Sequence, residues 1–367
     1  MKKRLFSLLL VSALVFTLSG CGEKSLLRES DPVTLNFWHV YGEQSGSPMD
    51  LLVQEFNRTV GQEKGVRVQV TNLSSASKIG GFLKEAQKGG RDAPEMPDLF
   101  TCHISDATAL GSDNLVDWNA RFTAEELSNF VPGFLADGMT EDGTLLLFPI
   151  SKSTQLLMCN GSGFARSLAQ GHVVVSDLYS NTQVMTGDVL SGLGSSAAIL
   201  YYNDTVTYRD GTQEPMDLHV LPMPKTAGAD ALMTQAGVGL CAYKTTDQKA
   251  EAAALFVRWL TESERNLDFV AQTGYMPVRN GAFDAIENYD KFPEPTESYR
   301  QLYAALKIMQ ESYTPLSEPR FEGYYGKVSQ LYDGLRKMQQ ELPGRAAAGE
   351  SIDALAGETW ALLCAIH

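Results

Sequence analysis

The chain has 367 residues and a formal net charge of −14 at pH 7. Hydrophobic residues make up 44% of it, which is typical of a globular protein, and the length allows two lobes with separate cores. A strongly acidic surface repels nucleic acids and anionic lipids, so the composition argues against proteins that bind either of them through a basic face.

The first 21 residues, MKKRLFSLLLVSALVFTLSGC, have the order of a secretory signal. Lys2, Lys3 and Arg4 precede an apolar run, and small residues precede Cys21. The ending LSGC resembles the lipobox of bacterial lipoproteins. That resemblance implies a signal peptide over 1–20, acylation of Cys21 with palmitate or a similar chain, and a lipid-anchored tether over 21–31. The alternatives are a transmembrane anchor, or a signal in which the cysteine has no role.

This N-terminus predicts a protein on the outer face of the bacterial cytoplasmic membrane, held to the bilayer through acylated Cys21. Removal of a signal that carries three cations would lower the net charge from −14 to −17. We expect that charge to contribute solubility and not ligand choice.

Strand and helix patterns alternate after the tether. VTLNFWHVYG, VRVQVTNLS and MPDLFTCH predict strands, and GSPMDLLVQEFNRTVG and SKIGGFLKEAQKGG predict the helices between them. Ser47 is the predicted N-cap of the first helix, Pro48 its first residue and Gly61 its end. This order predicts an α/β layer with parallel strands, in which ligands bind beyond the carboxyl ends of the strands. WHVYG and TCHIS would then form one wall of a site.

The rest of the chain is predicted more coarsely. TAEELSNFVPGFLADGM predicts a helical stretch, and LLLFPISKSTQLLMCN and LMTQAGVGLCAYKTT predict strands. Two helices follow over TTDQKAEAAALFVRWLTESERNLDFVAQTGYMPV, the second with a capping box from Thr261 to Glu264 and an end at Gly274. Residues 286–367 are predicted to be mostly helical.

The stretch SGLGSSAAILYY contains Gly192, Gly194 and Ala197 at the G-x-G-x-x-A spacing of a dinucleotide site. That site requires a helix N-terminus directly after the glycines. The residues that follow, AAILYYNDTVTY, are rich in β-branched and aromatic types and predict a strand. The spacing alone therefore does not indicate a nucleotide-binding protein.

Motifs for metal or catalytic chemistry are absent from the sequence. The cysteines Cys102, Cys159, Cys241 and Cys364 are widely spaced among apolar residues, which predicts buried free thiols and excludes a CxxC zinc site. The histidines form no HExxH pair, and neither G-x-S-x-G nor a Walker A sequence occurs. We therefore predict a protein with no cofactor, no metal and no catalysis.

Eight blocks of the chain resemble, in order, the extracellular solute-binding proteins of bacterial carbohydrate importers. The blocks are NFWH, PDLF, FPISKSTQLLMCN, GSSAAILY, VLPMPK, GVGL, AALFVRWLTESE and TGYMPV. The maltose- and glycerol-3-phosphate-binding proteins belong to this group. The resemblance implies a two-lobed α/β fold of the periplasmic-binding-protein type, with a hinge and a cleft between the lobes.

The resemblance also implies an organisation and partners. Residues 32–150 plus 233–285 would form the first lobe, and residues 151–232 plus 286–367 the second. The chain would cross the hinge at FPISKSTQLL and return at LPMPKTAGADALMTQAGVG. The partners would be a small sugar or polyol and the permease subunits of an ABC importer.

Seven ligand-binding residues are predicted on this basis: Trp38, Ser153, Ser195, Ser196, Gly237, Tyr275 and Arg320. The two serines of GSSAAI would offer hydroxyl and N–H groups, while Gly192 and Gly194 would either admit the ligand to the backbone or pack tightly in a sheet. An aromatic ring suits the apolar face of a sugar, and core packing is the alternative for Trp38 and Tyr275.

Charged residues add a variant of this prediction. Lys152 and Arg320 could partner an anionic ligand such as glycerol 3-phosphate. His103 stands where that branch of the family carries an acid.

One departure from the family concerns the second lobe. Only GSGFARSLAQGHVVVSDLYSNTQVMTGD separates LLMCN from VLSGLGSS, so several helices near residues 160–170 are predicted to be missing. The chain is then either a small receptor with an open site or a surface protein that no longer transports. A surface polysaccharide hydrolase is the third hypothesis, which would need two carboxylates facing each other across the cleft.

Overall fold

The computed structural model describes residues 25–42, 46–73, 76–160, 179–225, 228, 230–321 and 324–350. The predicted signal, Cys21, Cys364 and all but the first residue of the junction predicted at 160–170 lie outside them. The strands of the described residues are β1 (Val33–His39), β2 (Val66–Asn72), β3 (Leu99–Cys102), β4 (Gln155–Asn160), β5 (Ser191–Ser195), β6 (Thr205–Thr207), β7 (Gln213–Pro215), β8 (Leu218–Leu221), β9 (Leu232–Gln235), β10 (Gly239–Ala242) and β11 (Thr314–Ser317).

The helices occupy most of the connections between these strands. They are α1 (Pro48–Arg58), α2 (Val60–Lys64), α3 (Ala76–Lys88), α4 (Ile104–Leu110), α5 (Ala124–Ser128), α6 (Pro132–Asp137), α7 (Ser180–Met185), α8 (Asp247–Leu260), α9 (Ser263–Ala271), α10 (Asn280–Ala285), α11 (Thr296–Ser312) and α12 (Tyr324–Ala347). No helix of the described residues is both long and apolar enough to cross a membrane.

The first sheet has the strand order β10-β3-β1-β2. β1 pairs in parallel with β2 and β3, as the alternation of strand and helix patterns predicts, and β10 joins antiparallel to β3. Along β1 the odd-numbered residues from Val33 to His39 are buried on one face. A period of two is the strand period, so this burial pattern agrees with the strand predicted for VTLNFWHVYG.

The second sheet is antiparallel, with β4 between β5 and β8. Helix α11 packs on β8, and the side chain of Gln301 accepts a hydrogen bond from the N–H of Val220 at 3.1 Å. Two smaller pairs complete the strands, β6 with β7 and β9 with β11. The described residues thus form two larger sheets and two strand pairs, and the lobe boundaries given above remain a prediction.

Several predicted boundaries are wrong, because contacts distant in sequence decide them. Gly61 does not end α1 but lies inside α2, where a Cβ would come within 2.6 Å of the carbonyl oxygen of Val66. Only the last six residues of LLLFPISKSTQLLMCN form a strand. LMTQAGVGLCAYKTT forms two strands, because Gly237 breaks the extended chain with a φ of 108°.

Two predictions of local structure, a helix cap and a strand, are also wrong. The hydroxyl of Thr261 does not cap α9 but donates to the carbonyl of Val257, one turn back in α8, and the N-cap residue of α9 is Glu262. AAILYY is not a strand: residues Ser196–Tyr201 form a short 3-10 helix. Ser195 caps that helix, its hydroxyl accepting from the N–H of Ala197 at 3.3 Å, and this local bond competes with the strand pattern.

Candidate functional site: the crossing strip

Three separate stretches of chain, 148–154, 235–240 and 274–278, are joined by backbone hydrogen bonds, and we call them the crossing strip. Ser153 exchanges two backbone hydrogen bonds with Ala236, both of 3.0 Å. The N–H of Lys152 donates to the carbonyl of Met276 at 3.2 Å, and the N–H of Met276 donates back at 2.5 Å. These ladders bring predicted site residues from all three stretches together.

Ser153 and Gly237 are neighbours in this strip. A Cβ at position 237 would lie 3.8 Å from the backbone nitrogen of Ser153 and 3.9 Å from its hydroxyl oxygen. That is ordinary contact distance, so space does not require a glycine here. The backbone does require a glycine, because any other residue is strained at a φ of 108°.

The strip also contacts the end of β5, where Ser195 and Ser196 lie. The N–H of Ser196 donates to the carbonyl of Thr154 at 2.8 Å. Its hydroxyl is fully buried and has no hydrogen-bond partner among the described residues. On the opposite side Gly274 approaches so closely that a Cβ there would lie 2.9 Å from the carbonyl oxygen of Ser196. Ser196 therefore lies directly beside the stretch that carries Tyr275.

Gly192 is buried and Gly194 partly buried, and both pack against α7. Both belong to β5, opposite Met158 and Leu156 of β4. A Cβ on Gly192 would lie 2.7 Å from the Cβ of Ser180, the first residue of α7, and one on Gly194 would lie 3.3 Å from the hydroxyl oxygen of Ser180. The structure thus favours tight packing of the sheet against α7 over the approach of a ligand.

Tyr275 is half-buried, and its ring is supported from behind by Tyr41. The two rings meet edge to face with centroids 6.0 Å apart. The carbonyl of Tyr275 accepts a hydrogen bond of 3.0 Å from the hydroxyl of Tyr303. Burial, with a smaller contribution from Tyr275, raises the pKa of Tyr41 well above the usual value for tyrosine, so Tyr41 is a neutral hydrogen-bonding group at physiological pH. Tyr41 lies two residues after the end of β1, inside the predicted wall WHVYG, but it is not among the seven predicted ligand-binding residues.

Lys152 and Arg320 are already partnered by the protein. The ammonium group of Lys152, which is 1% exposed, forms an ion pair with the buried carboxylate of Asp137 at the end of α6. The guanidinium group of Arg320 donates to the last carbonyls of α6, at 3.2 Å to Ala136 and 3.0 Å to Asp137, and also to Met139. Lys152 is therefore neutralised by Asp137, and two hydrogen bonds of Arg320 cap a helix, while the contact of either cation with an anionic ligand stays a prediction.

His103 follows β3 and precedes α4 at the carboxyl end of the first sheet. Burial lowers the pKa of His103, while the negative charges of Glu318, Asp106 and Asp137 oppose that effect and the charge of Lys152 adds to it. The charges of the Lys152–Asp137 pair thus act on this imidazole in opposite directions. Among the described residues no group of three or more His, Cys, Asp or Glu side chains is arranged to hold a metal ion.

Trp38 lies on β1 of the first sheet, outside the crossing strip. Its ring contacts the edge of Phe82 on α3, with centroids 6.5 Å apart, and it packs on the smaller of two hydrophobic clusters, which contains Phe100 and Leu83. These are the contacts of the core-packing alternative. Ligand contact by Trp38, as by the other six residues, stays a prediction.

The cysteines that the structure describes fully are buried and free. Cys102 on β3 and Cys241 on β10 have sulfur atoms 3.7 Å apart, too far for a disulfide bond, as the apolar neighbours of both residues predict. Burial raises the pKa of Cys102 well above its usual value, so the thiol is protonated.

Comparison with known proteins identifies the class of this fold. Residues 164–294 match the family described as bacterial extracellular solute-binding protein. The crystal structure of a cyclic α-maltosyl-1,6-maltose-binding protein from Arthrobacter globiformis is 15% identical, with a TM-score of 0.63 over 91% of this chain and 99% of that one. No curated protein sequence matches the chain.

Two further solved structures have the same fold. UgpB from Mycobacterium tuberculosis, in complex with glycerophosphocholine, is 15% identical with a TM-score of 0.61, over 90% of this chain and 98% of that one. The GacH receptor of Streptomyces glaucescens, solved unliganded and with acarbose, is 14% identical with a TM-score of 0.59, over 89% and 96%. The resemblance to solute-binding proteins and the two-lobed α/β fold class are thus confirmed.

Proposed function

We propose that this protein is a lipid-anchored receptor that captures a neutral sugar or related polyol for an ABC importer, without catalysis. The coarser assignment, an extracytoplasmic solute-binding protein, is supported by the matched family and the shared fold. The ligand class, the anchor through Cys21 and the permease partner belong to the proposal.

The observation that carries the choice of a neutral ligand is that Lys152, the cation of the crossing strip, is buried and neutralised by Asp137. Arg320, outside the strip, donates three hydrogen bonds to carbonyls of α6 and of Met139. The strip and its neighbours also offer hydroxyls, backbone amides and the ring of Tyr275, and the hydroxyl of Ser196 has no hydrogen-bond partner among the described residues. Hydroxyls of a sugar can both donate to and accept from such groups, and an aromatic ring packs on its apolar face.

The proposal is tested by thermal unfolding of the mature chain, residues 21–367, with maltose, maltotriose, glycerophosphocholine and glycerol 3-phosphate. A ligand at 100 times its dissociation constant stabilises the folded state by about 2.7 kcal/mol. We expect stabilisation by a neutral sugar, to the same extent at about 50 mM and about 500 mM NaCl, since a neutral ligand gains nothing from the protein's field. Stabilisation by the phosphorylated compounds alone would contradict the proposal.

A glycerophosphodiester is the second candidate ligand. A guanidinium group has five N–H donors, and three hydrogen bonds from Arg320 go to α6 and Met139. The side chain is exposed, so its other donors can reach a phosphate. Binding of glycerophosphocholine that weakens in salt, and that is lost in Arg320→Gln, would favour this candidate.

A surface protein that no longer transports is favoured by one observation on the second sheet. Leu193 of β5 and Leu221 of β8 flank Leu157 of β4 in register, and their side chains are 53% and 38% exposed. Exposed apolar pairs of this kind suit contact with another protein. No stabilisation by any compound of the panel, in a chain that unfolds cooperatively, would shift the assignment to this candidate.

A further inference from the structure

We infer that Tyr41 is a positioning residue: it holds the ring of Tyr275 and the first stretch of the crossing strip in the geometry that receives the ligand. The inference rests on the proposed function only for the role of Tyr275. The structural part concerns contacts that exist without any ligand.

The first step is the attachment of Tyr41 to its own loop. His39, the last residue of β1, is fully buried, and its Nδ1 accepts a hydrogen bond of 3.2 Å from the N–H of Tyr41. Its other ring nitrogen must then carry the proton, which it donates to the carboxylate of Asp50 in the first turn of α1, at 2.8 Å. The hydroxyl of Ser47, the N-cap of α1, donates to the carbonyl of Tyr41 at 2.5 Å. The carbonyl of Tyr41 is thus bound directly to the start of α1, and its N–H is linked to the same helix through the ring of His39.

The second step is the contact of the Tyr41 side chain with the crossing strip. Its hydroxyl lies 2.9 Å from the hydroxyl of Ser151, and both residues are buried. Ser151 immediately precedes Lys152, whose backbone pairs with Met276, the neighbour of Tyr275. Tyr41 therefore contacts two of the three stretches, one through its hydroxyl and one through its ring.

The third step is the packing of the ring between two others. Tyr41 meets Phe269 of α9 edge to face at 5.2 Å and Tyr275 at 6.0 Å, with interplanar angles of 80° and 82°. A ring that is 7% exposed and wedged in this way leaves Tyr275 little freedom to turn inward. Edge-to-face geometry is directional, so an aliphatic side chain of similar volume does not replace it.

The experiment uses the mature chain with 3-fluorotyrosine introduced at position 275 and follows that ring by fluorine NMR. We expect one sharp resonance, which Tyr41→Phe preserves because the ring remains, and which Tyr41→Leu broadens or splits. The matched control is Tyr289→Leu, which removes another partly buried tyrosine whose hydroxyl donates to Asp268 at 2.8 Å. An unchanged resonance in Tyr41→Leu overturns the inference, as does an equal change in Tyr289→Leu.

The same variants are then titrated with maltotriose. We expect Tyr41→Leu to weaken binding at least tenfold, Tyr41→Phe by less than threefold and Tyr289→Leu not at all, with thermal melting to verify that each variant is folded. Equal affinity of Tyr41→Leu and the unchanged chain overturns the inference. If the unchanged chain does not bind maltotriose, the proposed function fails for this sugar, while the fluorine spectra still decide whether Tyr41 positions Tyr275. If Tyr41→Leu does not fold, Tyr41→Ile takes its place in both measurements.

Discussion

Removal of the Lys152 side chain should destabilise the protein far more than removal of an exposed lysine. The partner of Lys152, Asp137, is only 7% exposed, so Lys152→Met leaves a carboxylate buried without its cation. Breaking a buried pair in this way costs about 3–5 kcal/mol, because the charge that remains has lost both water and its counter-ion. The effect on the free energy of unfolding is therefore set by the desolvation of Asp137 and not by the strength of the pair.

The matched control is Lys64→Met. Lys64 also forms an ion pair, 2.7 Å from Glu63, but the two side chains are 49% and 69% exposed. An exposed pair contributes about 0–1 kcal/mol, so this variant should have nearly unchanged stability. The double variant Lys152→Met with Asp137→Leu removes both buried charges and should recover most of the loss.

The free energies of unfolding are compared by urea denaturation at pH 7, and each variant is titrated with glycerol 3-phosphate. Equal stability of Lys152→Met and Lys64→Met would refute the reasoning. A Lys152→Met protein that stays stable but loses an affinity for glycerol 3-phosphate present in the unchanged chain would reinstate Lys152 as a ligand contact.

Three further predictions concern packing, pH and the ligand. Gly192→Ala should destabilise by about 1–3 kcal/mol in thermal melting, because its Cβ would collide with Ser180, whereas Gly194→Ala should stay within about 1 kcal/mol; equal effects would contradict the packing argument. Burial keeps the pKa of His39 below 6.5, so the folded chain resists a proton that the unfolded chain accepts, and stability should fall as the pH drops below about 6.5. That fall should be smaller in His39→Gln when unfolding is measured between pH 7 and 5, and an equal fall in both proteins would exclude His39 as its source. Tyr275→Ala should weaken maltotriose binding at least tenfold by calorimetry with little change in melting temperature, and a large drop in that temperature would identify a core residue.

Much of the first sheet could be predicted because the patterns that specify it lie in residues close together in the sequence. The period-two burial of β1, the Ser47–Pro48 start of α1 and the alternation of strands with helices are properties of neighbouring residues. The predictions failed where a group distant in sequence decides the local structure. Gly61 does not end α1, because its lack of a side chain is required where the carbonyl oxygen of Val66 approaches it. The hydroxyl of Thr261 likewise had a carbonyl of the preceding turn available and did not form the predicted cap.

The candidate site was predicted in part. Ser153, Gly237 and Tyr275 are far apart in sequence, yet backbone pairing gathers them in the crossing strip, as the family resemblance implies. Tyr41 lies in the predicted wall WHVYG, but its particular role could not be predicted because it depends on a contact with the ring of Tyr275, 234 positions later.

The ordered blocks, the alternation of strand and helix patterns and the acidic composition are sequence features, and they were enough to predict the fold class and to argue against nucleic-acid binding. Which cations are already paired could be seen only in the folded chain. A lysine or an arginine is the same letter in the sequence whether it is free or paired. In the folded chain Asp137 neutralises Lys152, whereas Arg320 donates three hydrogen bonds to carbonyl groups and keeps its charge. Electrostatic roles depend on distance and dielectric surroundings, and both are set by the fold.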